Sequence, residues 1–478
     1  MRGVFLKYKS SFKTLCFTLA FILALSAAAG AAPRYLFLFI GDGMGANQRT
    51  LTEYYAACAG GAPRQPECAP LRMNRFPVQG MMRIHALDKY ITDSAASATA
   101  MATGQRTVDS AVAVMSDRKT PLTTIAELAR REGLAVGMIT STPINHATPA
   151  CFYAHHRSRD GYSIAKQIPQ SGFEFFAGGA PSRPRGKNKD LLPVLDIVRK
   201  AGYAVAEGFD AAARVATDKK LLLIASDPAG ADGFPYAVDA VDDGENRLRR
   251  AVELGIERLS KNEKGFFMLV EGGKIDWAAH INDTRTVIGE VLNFDEALQP
   301  AIEFVQQHPA EATLVVTSDH DTGGLALGWY GAKYASDFAV LAGQKRSAGA
   351  IYKELQPLRA QRAPFHEARL AARSFFGLAD LSAREEADLA ESWRQALKPW
   401  DERRDDPEYR LKYGSFDPFV TECMRILAHR AGVAWTNWAH TAAAVPVSAM
   451  GAGAPAFGGV YANADLFGKM KKLLFFSK

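Results

Sequence analysis

Four apolar runs of strand length, each ending in polar residues, constrain the fold of this chain more than any other feature. They occupy residues 35–40, 135–140, 265–270 and 313–317. Their apolar residues do not alternate with polar ones, which is typical of strands buried on both faces of a parallel sheet. Segments with helical patterns lie between them. The sequence therefore predicts an α/β fold, a three-layer α/β/α sandwich with a largely parallel central sheet.

The polar residues that end these runs predict where a ligand would bind. Asp42 lies just beyond the first run, Thr142 beyond the second, Glu271 beyond the third, and Asp319 with His320 beyond the fourth. In open α/β sheets, ligands bind outside the carboxyl ends of the strands. We therefore expect these side chains to share one site.

The chain has 478 residues, enough for one large domain or two ordinary ones. We predict a core made of residues 32–330 and 431–478 and a mainly helical insertion over residues 331–430. A capping box at Ser382 and Glu385 supports the helical character of the insertion. It either forms a rim over the pocket or is a packing elaboration, and the sequence leaves both open. In the core, Thr120 is predicted to cap a helix that ends at Gly133.

The first 31 residues have the pattern of a secretory signal. Four basic residues precede an apolar run at 15–29 and a small-residue patch, with cleavage after Ala31: Arg2, Lys7, Lys9 and Lys13. The alternative is an uncleaved membrane anchor, although the run is short for a bilayer span. Either interpretation predicts export, to the periplasm or the medium.

Charge excludes some partners of the mature chain. Removing the four basic residues from 57 leaves 53 against 51 acidic ones, so the net charge of +6 indicates no nucleic-acid partner. No later run approaches a transmembrane helix. The basic, apolar tail at 469–476 is predicted to be an amphipathic helix that packs on its own domain rather than on a membrane.

In an oxidising compartment, Cys58 and Cys68 are predicted to form a local disulfide, since they flank a loop rich in glycine and proline. Cys151 and Cys423 could be paired or free.

Ser94 follows Asp93 and precedes a small-residue run that ends at Gly104. A serine at a helix N-terminus faces free backbone N–H groups and the positive end of the helix dipole, which suits phosphate binding. Taken alone, Asp-Ser before a helix is usually just a cap.

Carboxylates and histidines recur at metal-ligand spacing. Asp276 and His280 are four residues apart and would share one helical face, while Glu271 ends the preceding strand. Their apolar neighbours make unpaired charges costly. Asp319 with His320 offers mixed oxygen and nitrogen ligation, typical of catalytic zinc. His440, beside Trp435 and Trp438, would by itself be taken for a buried core histidine.

Together, five segments resemble the alkaline phosphatase family, over residues 35–461 except the insertion. They are IGDG at 40–43, TDSA at 92–95, EGGKIDWAAH at 271–280, TSDHD at 317–321 and AHT at 439–441. The resemblance implies hydrolysis of small phosphate monoesters through a phosphoserine on Ser94, with two Zn²⁺ and one Mg²⁺. The family is often dimeric, so a homodimer is possible.

The resemblance also implies a role for each residue. Asp42, Asp319 and His320 would hold the metal that activates Ser94. Asp276, His280 and His440 would hold the second zinc, on the leaving-group side. Glu271 and Thr148, with Asp42 as a bridge, would hold the third ion. Arg159, thirteen residues after His146, would clamp the phosphate, and Arg157 is its rival for that role.

Two positions depart from the best-known bacterial members. His146 stands where an aspartate helps order the magnesium water, and Trp277 stands where a lysine contacts phosphate through water. Because imidazole favours transition metals, the third ion could be Zn²⁺ or Co²⁺ instead of Mg²⁺.

Two other function classes remain as alternatives. One is a diesterase or sulfatase of the same superfamily, although the Cys/Ser-x-Pro-x-Arg context of sulfatases is absent around Ser94. The other is a non-catalytic, exported binder of zinc or phosphate.

Overall fold

A ten-stranded sheet lies at the centre of the molecule, and all four apolar runs contribute strands to it. The structure is a computed structural model that describes residues 33–58, 68–226, 233–240, 245–403 and 405–475. The predicted signal lies outside the described residues. The strands in chain order are β1 (Tyr35–Ile40), β2 (Val78–Arg83), β3 (Ala135–Pro143), β4 (Phe175–Gly179), β5 (Ala204–Glu207), β6 (Leu221–Ile224), β7 (Phe266–Glu271), β8 (Ala312–Thr317), β9 (Asp321–Thr322), β10 (Ala326–Leu327), β11 (Val433–Ala434), β12 (His440–Thr441), β13 (Val445–Gly451) and β14 (Gly459–Ala462).

The strand order of the large sheet is β14-β2-β13-β8-β1-β7-β3-β4-β6-β5. Neighbouring strands are parallel except β13, which runs antiparallel to β2 and to β8. The carboxyl ends of β1, β3, β7 and β8 therefore lie at one edge, as predicted. Two small antiparallel pairs, β9 with β12 and β10 with β11, lie outside the sheet.

The two faces of the sheet belong to different hydrophobic cores. Leu36, Leu38 and Ile40 of β1 contribute to one core, and Phe37 and Phe39 to the other. The helices that supply the first core include Ser94–Thr103, Ile125–Arg131, Val194–Lys200 and Asn463–Phe475. Those that supply the second include Phe209–Ala213, Arg247–Leu259, Thr284–Ala297 and Gln299–Gln307. The three-layer α/β/α sandwich is confirmed.

A third core lies within residues 331–430, where Trp393 packs edge-on against Phe419 with ring centroids 5.1 Å apart. Leu51 and Ile288 of the sandwich contribute to the same core. The capping box of Ser382 is present as predicted. The helices of this segment are Ala348–Glu354, Gln356–Ala360, Phe365–Phe376, Ala383–Ala396, Trp400–Arg403, Pro407–Tyr413 and Pro418–Arg430.

Shorter or peripheral elements complete the described chain. The remaining α-helices are Ala46–Ala57, Ala147–Ala150, Gly161–Ala165, Ile168–Ser171 and Lys274–Ala279, and three 3₁₀ turns occupy Met73–Arg75, Phe338–Gly343 and Ala454–Phe457. Among the described residues, no helix combines the length and apolar character needed to cross a bilayer. The tail helix Asn463–Phe475 packs on its own domain, as predicted.

The predicted cap of the helix Ile125–Arg131 is wrong. Its N-cap is Thr124, which forms a capping box with Glu127. Thr120 instead donates its hydroxyl to Asp117 in the preceding turn, at 2.6 Å. A glutamate three residues after Thr124 satisfies two free backbone donors reciprocally, and Thr120 has no such partner.

The predicted disulfide between Cys58 and Cys68 is not formed either, because both thiols are free. Cys151 and Cys423 are free and buried. Hydrogen bonds link the described segments on either side of residues 59–67: Ala69 N–H donates to the Glu53 carbonyl at 3.0 Å, and Leu71 N–H donates to its carboxylate at 2.8 Å. The chain is thus held here without a covalent link.

Candidate active site

Ser94 begins the helix Ser94–Thr103 at the carboxyl edge of the sheet, and only 2% of its surface is exposed. Asp93 is the N-cap, and its carboxylate accepts the Ala96 N–H at 2.9 Å and the Ser110 N–H at 3.1 Å. Every residue of this helix is buried, which its small side chains permit. The Ser94 hydroxyl lies 3.2 Å from His320 Nε2. The serine is therefore held in place by both its backbone and its neighbours.

The first trio consists of Asp42, Asp319 and His320 and surrounds this hydroxyl. His320 Nε2 lies 3.3 Å from a carboxylate oxygen of Asp42 and 3.3 Å from one of Asp319. All three side chains are completely buried. The parallel pairing of β1 with β8 explains why these three residues lie together. Asp42 follows the end of β1, and Asp319 and His320 follow the end of the neighbouring strand β8.

The second trio consists of Asp276, His280 and His440. The two imidazole Nε2 atoms are only 3.1 Å apart, and His280 Nε2 is 3.4 Å from Asp276. Each Nδ1 faces a backbone carbonyl at 2.7 Å, that of Trp438 for His280 and that of Thr92 for His440. Because a carbonyl only accepts, each Nδ1 carries the proton, and each Nε2 turns its lone pair toward the other.

Thr322 connects the two trios. Its hydroxyl donates to Asp276 at 2.6 Å and so accepts the Nδ1 proton of His320, at 3.1 Å. That bond leaves the Nε2 lone pair of His320 directed at Ser94 and the two carboxylates. Gly43 makes the approach possible: at its φ of +72°, a Cβ would stand 2.8 Å from the Thr322 hydroxyl and 2.9 Å from Asp276 Cα.

The third trio consists of Asp42, His146 and Glu271, so it shares Asp42 with the first trio. His146 Nδ1 is 2.8 Å from Glu271 and 3.8 Å from Asp42. His146 thus lies among the possible ligands themselves, closer than the supporting role predicted for it. The Thr148 hydroxyl is 3.3 Å from Asp42 and 3.4 Å from Asp319, between the first and third trios.

Burial and mutual repulsion alter the pKa values of the clustered acids. The pKa of Asp42 is raised well above its ordinary value by burial and then by Asp319, Asp276 and Glu271. Burial, followed by Asp276 and Glu271, raises the pKa of Asp319 to about 8. Burial would raise the pKa of Glu271 too, but the imidazole of His146, together with hydrogen bonds from Thr140 and Asp42, outweighs it and the pKa is lowered.

The pKa values of two histidines, His320 and His440, shift in the opposite direction. Burial, then the neighbouring imidazoles of His440 and His280, lowers the pKa of His320 well below its ordinary value. Burial also lowers the pKa of His440. Neutral imidazole is the form that binds metal ions.

The residues present fit metal ions. Asp42 Oδ1 is buried and accepts no hydrogen bond from any described residue, a costly state for a carboxylate oxygen without a cation. The imidazole lone pairs that face each other, and the carboxylates beside them, also need a cation between them to offset their repulsion. Oxygen and nitrogen donors together suit a catalytic zinc, and the oxygens of Glu271 and Thr148 suit a harder ion.

The structure also places the remaining predicted residues. Arg159 Nη1 lies 3.6 Å from the Asp93 carboxylate, beside the nucleophile, and its side chain is 37% exposed. Arg157 has its backbone carbonyl bound by the Arg118 guanidinium. The Trp277 ring lies edge-on to His146, with centroids 6.1 Å apart. Every predicted site residue is thus within this one region.

Sequence reasoning expected Thr142 at the site but missed Thr140, Thr322 and Asp321, which support the trios with it. Thr140 and Thr142, at the end of β3, donate to Glu271. Thr322 joins two trios, and Asp321 accepts from Gln48 at 3.0 Å and from Thr441 at 2.7 Å. Their only signal was position, directly beside predicted ligands at strand ends.

Comparison with known proteins agrees with this geometry. The sequence matches the family model of alkaline phosphatase over residues 34–179 and 229–476. The match extends through residues 331–430, which the sequence analysis placed outside the resemblance, and is interrupted at residues 180–228. Alkaline phosphatase 4 of Bacillus subtilis (strain 168) is 30% identical over 458 residues, covering 92% of this chain and 88% of that one.

Solved structures agree as well. The cold-active alkaline phosphatase of a psychrophilic Shewanella sp. gives a TM-score of 0.74 at 29% identity, covering 92% of this chain and 99% of that one. The Thermus thermophilus alkaline phosphatase also gives 0.74, at 27% identity and with 93% and 92% coverage. This chain belongs to the alkaline phosphatase family and is a metal-dependent enzyme that hydrolyses phosphate monoesters.

Proposed function

We propose that hydrolysis proceeds through a phosphoserine on Ser94, in a site holding two Zn²⁺ ions and a third ion. The observation that carries this proposal is the Ser94 hydroxyl, 3.2 Å from the unprotonated nitrogen of His320 and buried among the first trio. A binding protein has no need for a hydroxyl aimed into its metal ligands from a helix N-terminus. The serine therefore favours covalent catalysis.

The first trio would hold one Zn²⁺, the second trio the other, and Glu271, Thr148 and Asp42 the third ion. That ion would be Mg²⁺, or Zn²⁺ or Co²⁺ if His146 also binds it. Bound cations supply two effects here: they lower the pKa of a nearby hydroxyl, and they stabilise negative charge on phosphate and leaving-group oxygens.

The protein's own groups orient the reaction. The Ser94 oxygen attacks phosphorus while the bond from phosphorus to the leaving oxygen breaks, and water then cleaves the phosphoserine to release inorganic phosphate. Backbone N–H groups at the start of the helix Ser94–Thr103 face the phosphate oxygens. The fork of Arg159, held beside Asp93, binds two further oxygens. The second trio lies on the leaving-group side.

The decisive test combines chelation with a nucleophile variant. Activity of the purified protein on p-nitrophenyl phosphate should disappear after chelation and return with Zn²⁺ plus Mg²⁺ or Co²⁺. Ser94→Ala should lower turnover at least about a thousandfold while bound zinc stays near the parent's amount. Acid quenching with ³²P-labelled substrate should trap a labelled parent enzyme and leave Ser94→Ala unlabelled.

Three results would count against the proposal. Activity indifferent to chelation would exclude the metal sites, and loss of zinc from Ser94→Ala would make this serine structural. Faster hydrolysis of bis-p-nitrophenyl phosphate than of the monoester would favour the diesterase alternative.

Export is part of the proposal, supported by the basic and apolar pattern of residues 1–31. Amino-terminal sequencing of the protein recovered outside the cytoplasm should begin at Ala32. A product that retains Met1 in the membrane fraction would favour the anchor instead.

A further inference from the structure

A basic pocket of about 430 Å³ opens at the same edge of the sheet as the trios, outside the site described above. Its lining includes Arg83, His85, Tyr90, Arg106, Ala442 and Ala462. Arg83 is the last residue of β2. Since β13 is antiparallel to both β2 and β8, β2 and β8 run in the same direction, and both end at this edge. Ligands of such sheets bind there.

The pocket adjoins the second trio. Ala442 is two residues after His440, a stretch that spans at most about 7 Å of chain. Tyr90 precedes Ser94 by four residues, and the intervening Thr92 accepts the Nδ1 proton of His440 at 2.7 Å. The lining therefore borders the site on the side where the leaving group emerges.

The two arginines of this pocket have no counter-ion among the residues that the structure describes. Arg83 and Arg106 form no ion pair or hydrogen bond with any described side chain, and Arg106 Nε is buried without a partner. Of the acids nearby in the sequence, Asp465 accepts the Ala462 N–H at 2.9 Å and Asp109 pairs with Lys89 at 3.3 Å. Asp88 is exposed and pairs with neither arginine. Two guanidiniums at one pocket, with no counter-ion among the described residues, can bind an anion from outside the chain.

Tyr90 adds a second property, because 85% of its surface is exposed at the pocket. An exposed ring beside two unpaired guanidiniums can cover the carbon chain of a bound molecule while the arginines bind its charge. This combination differs from the site around Ser94, where all cationic charge near phosphate except Arg159 must come from metal ions.

We propose that this pocket binds a second anionic group, phosphate or carboxylate, on the leaving group of the substrate. The inference rests on the proposed function and narrows its substrate class to monoesters that carry another negative charge. Arg83 and Arg106 accept that charge through their planar forks. They act as specificity residues that hold the leaving group, apart from the groups that break its bond.

The test uses three compounds with one carbon skeleton: 3-hydroxypropyl phosphate, 3-phosphonooxypropanoate and propane-1,3-diol bisphosphate, together with their six-carbon equivalents. The first is neutral at its far end, the second carries a carboxylate and the third a phosphate. For the metal-loaded wild-type enzyme, kcat/KM for at least one compound with an anionic far end should exceed that for the neutral one by about tenfold, chiefly through KM.

The variants are Arg83→Gln and Arg106→Gln. Each should reduce the ratio of kcat/KM for the anionic compound to kcat/KM for the neutral one about fivefold to tenfold, while Arg106→Lys retains part of this ratio. Arg75→Gln is the matched control, because Arg75 precedes the opposite end of β2 and should leave the ratio unchanged. Thermal melting verifies folding. Arg83→Glu, at an exposed position, should invert the preference and serves if Arg106→Gln fails to fold.

Equal ratios in the wild type, the pocket variants and Arg75→Gln would overturn this inference and leave the proposed function intact. Failure of the wild type to hydrolyse any of these monoesters would instead overturn the proposed function, and the inference with it. A preference confined to the carboxylate or to the phosphate arm identifies which anion the arginines accept.

Discussion

Buried acids are treated differently in two regions of this enzyme. In residues 331–430 they face arginines: Asp417 lies 2.8 Å from Arg359, and Glu422 contacts Arg425. At the sheet edge, Asp42 and Asp319 contact histidines, a threonine, backbone N–H groups and other acids, and no described Arg or Lys pairs with them. The first arrangement has its opposing charge within the chain. The second is complete only with cations, and this difference separates structural from functional charge.

The strongest test of this comparison is to replace one acid of each kind by its amide and to compare the effects on activity and stability. Asp42→Asn should lower kcat/KM more than about a hundredfold, because residues that merely support metal ligands already cost about 10–100-fold and Asp42 serves two trios. Phosphatase assay with metal analysis measures both losses. After chelation the variant should melt above the chelated parent, since one of the opposed carboxylates is gone. A lower melting temperature would mean that Asp42 is structural.

Asp417→Asn should do the reverse. Removing one partner of a buried ion pair leaves the Arg359 charge uncompensated, and the free energy of unfolding should fall by about 3–5 kcal/mol. Urea titration measures it, and turnover per metal-loaded molecule should match the parent. Replacing both partners with apolar residues, in the double variant Arg359→Met with Asp417→Leu, should recover much of the loss. Loss of turnover by Asp417→Asn at full metal loading would mean that this acid is not purely structural.

Thr322 sharpens the comparison within the site. Thr322→Val keeps the shape but loses the hydroxyl that orients His320 and Asp276, so zinc affinity should fall about 10–100-fold. Competition with a chromogenic chelator measures it. Thr286→Val is the matched control, because its hydroxyl donates to Asp283, a buried acid that belongs to none of the trios. Equal effects of the two substitutions would deny Thr322 any special role.

Glu290 is an intermediate case, a buried acid near one lysine. Burial raises its pKa to about 7 despite Lys274. Because the folded pKa lies above the unfolded value of about 4.3, protonated Glu290 contributes stability that is fully present below about pH 4. This contribution is lost as the pH rises through 7. Glu290→Gln cannot titrate. Its unfolding free energy relative to the parent should therefore rise by about 2–3 kcal/mol between about pH 4 and pH 8, measured in urea at fixed metal concentration. A pH-independent difference would contradict this shift.

Sequence patterns predicted what local chemistry determines. Strands such as β1 and β8 were visible because their residues are apolar on both faces, and the ligands were visible because they end those strands. The sequence did not show which of two candidate residues would form a given contact. Thr124 caps its helix in place of Thr120 because Glu127 completes a capping box. Glu53 links the two described segments that a disulfide between Cys58 and Cys68 was expected to link. The link through Thr322 depends on how two loops approach in space, which no spacing encodes.

The position of β13 has a consequence for synthesis. Both sheet neighbours of β2 come from the last part of the chain, since β2 pairs only with β13 and β14 among the described strands. Until β13 and β14 have been synthesised, β2 has no strand to pair with in the sheet. His440 of the second trio is likewise absent until the chain reaches that residue. The nascent enzyme can assemble its first trio once His320 has been made but gains its second only after His440, so competence for catalysis waits for the synthesis of β12.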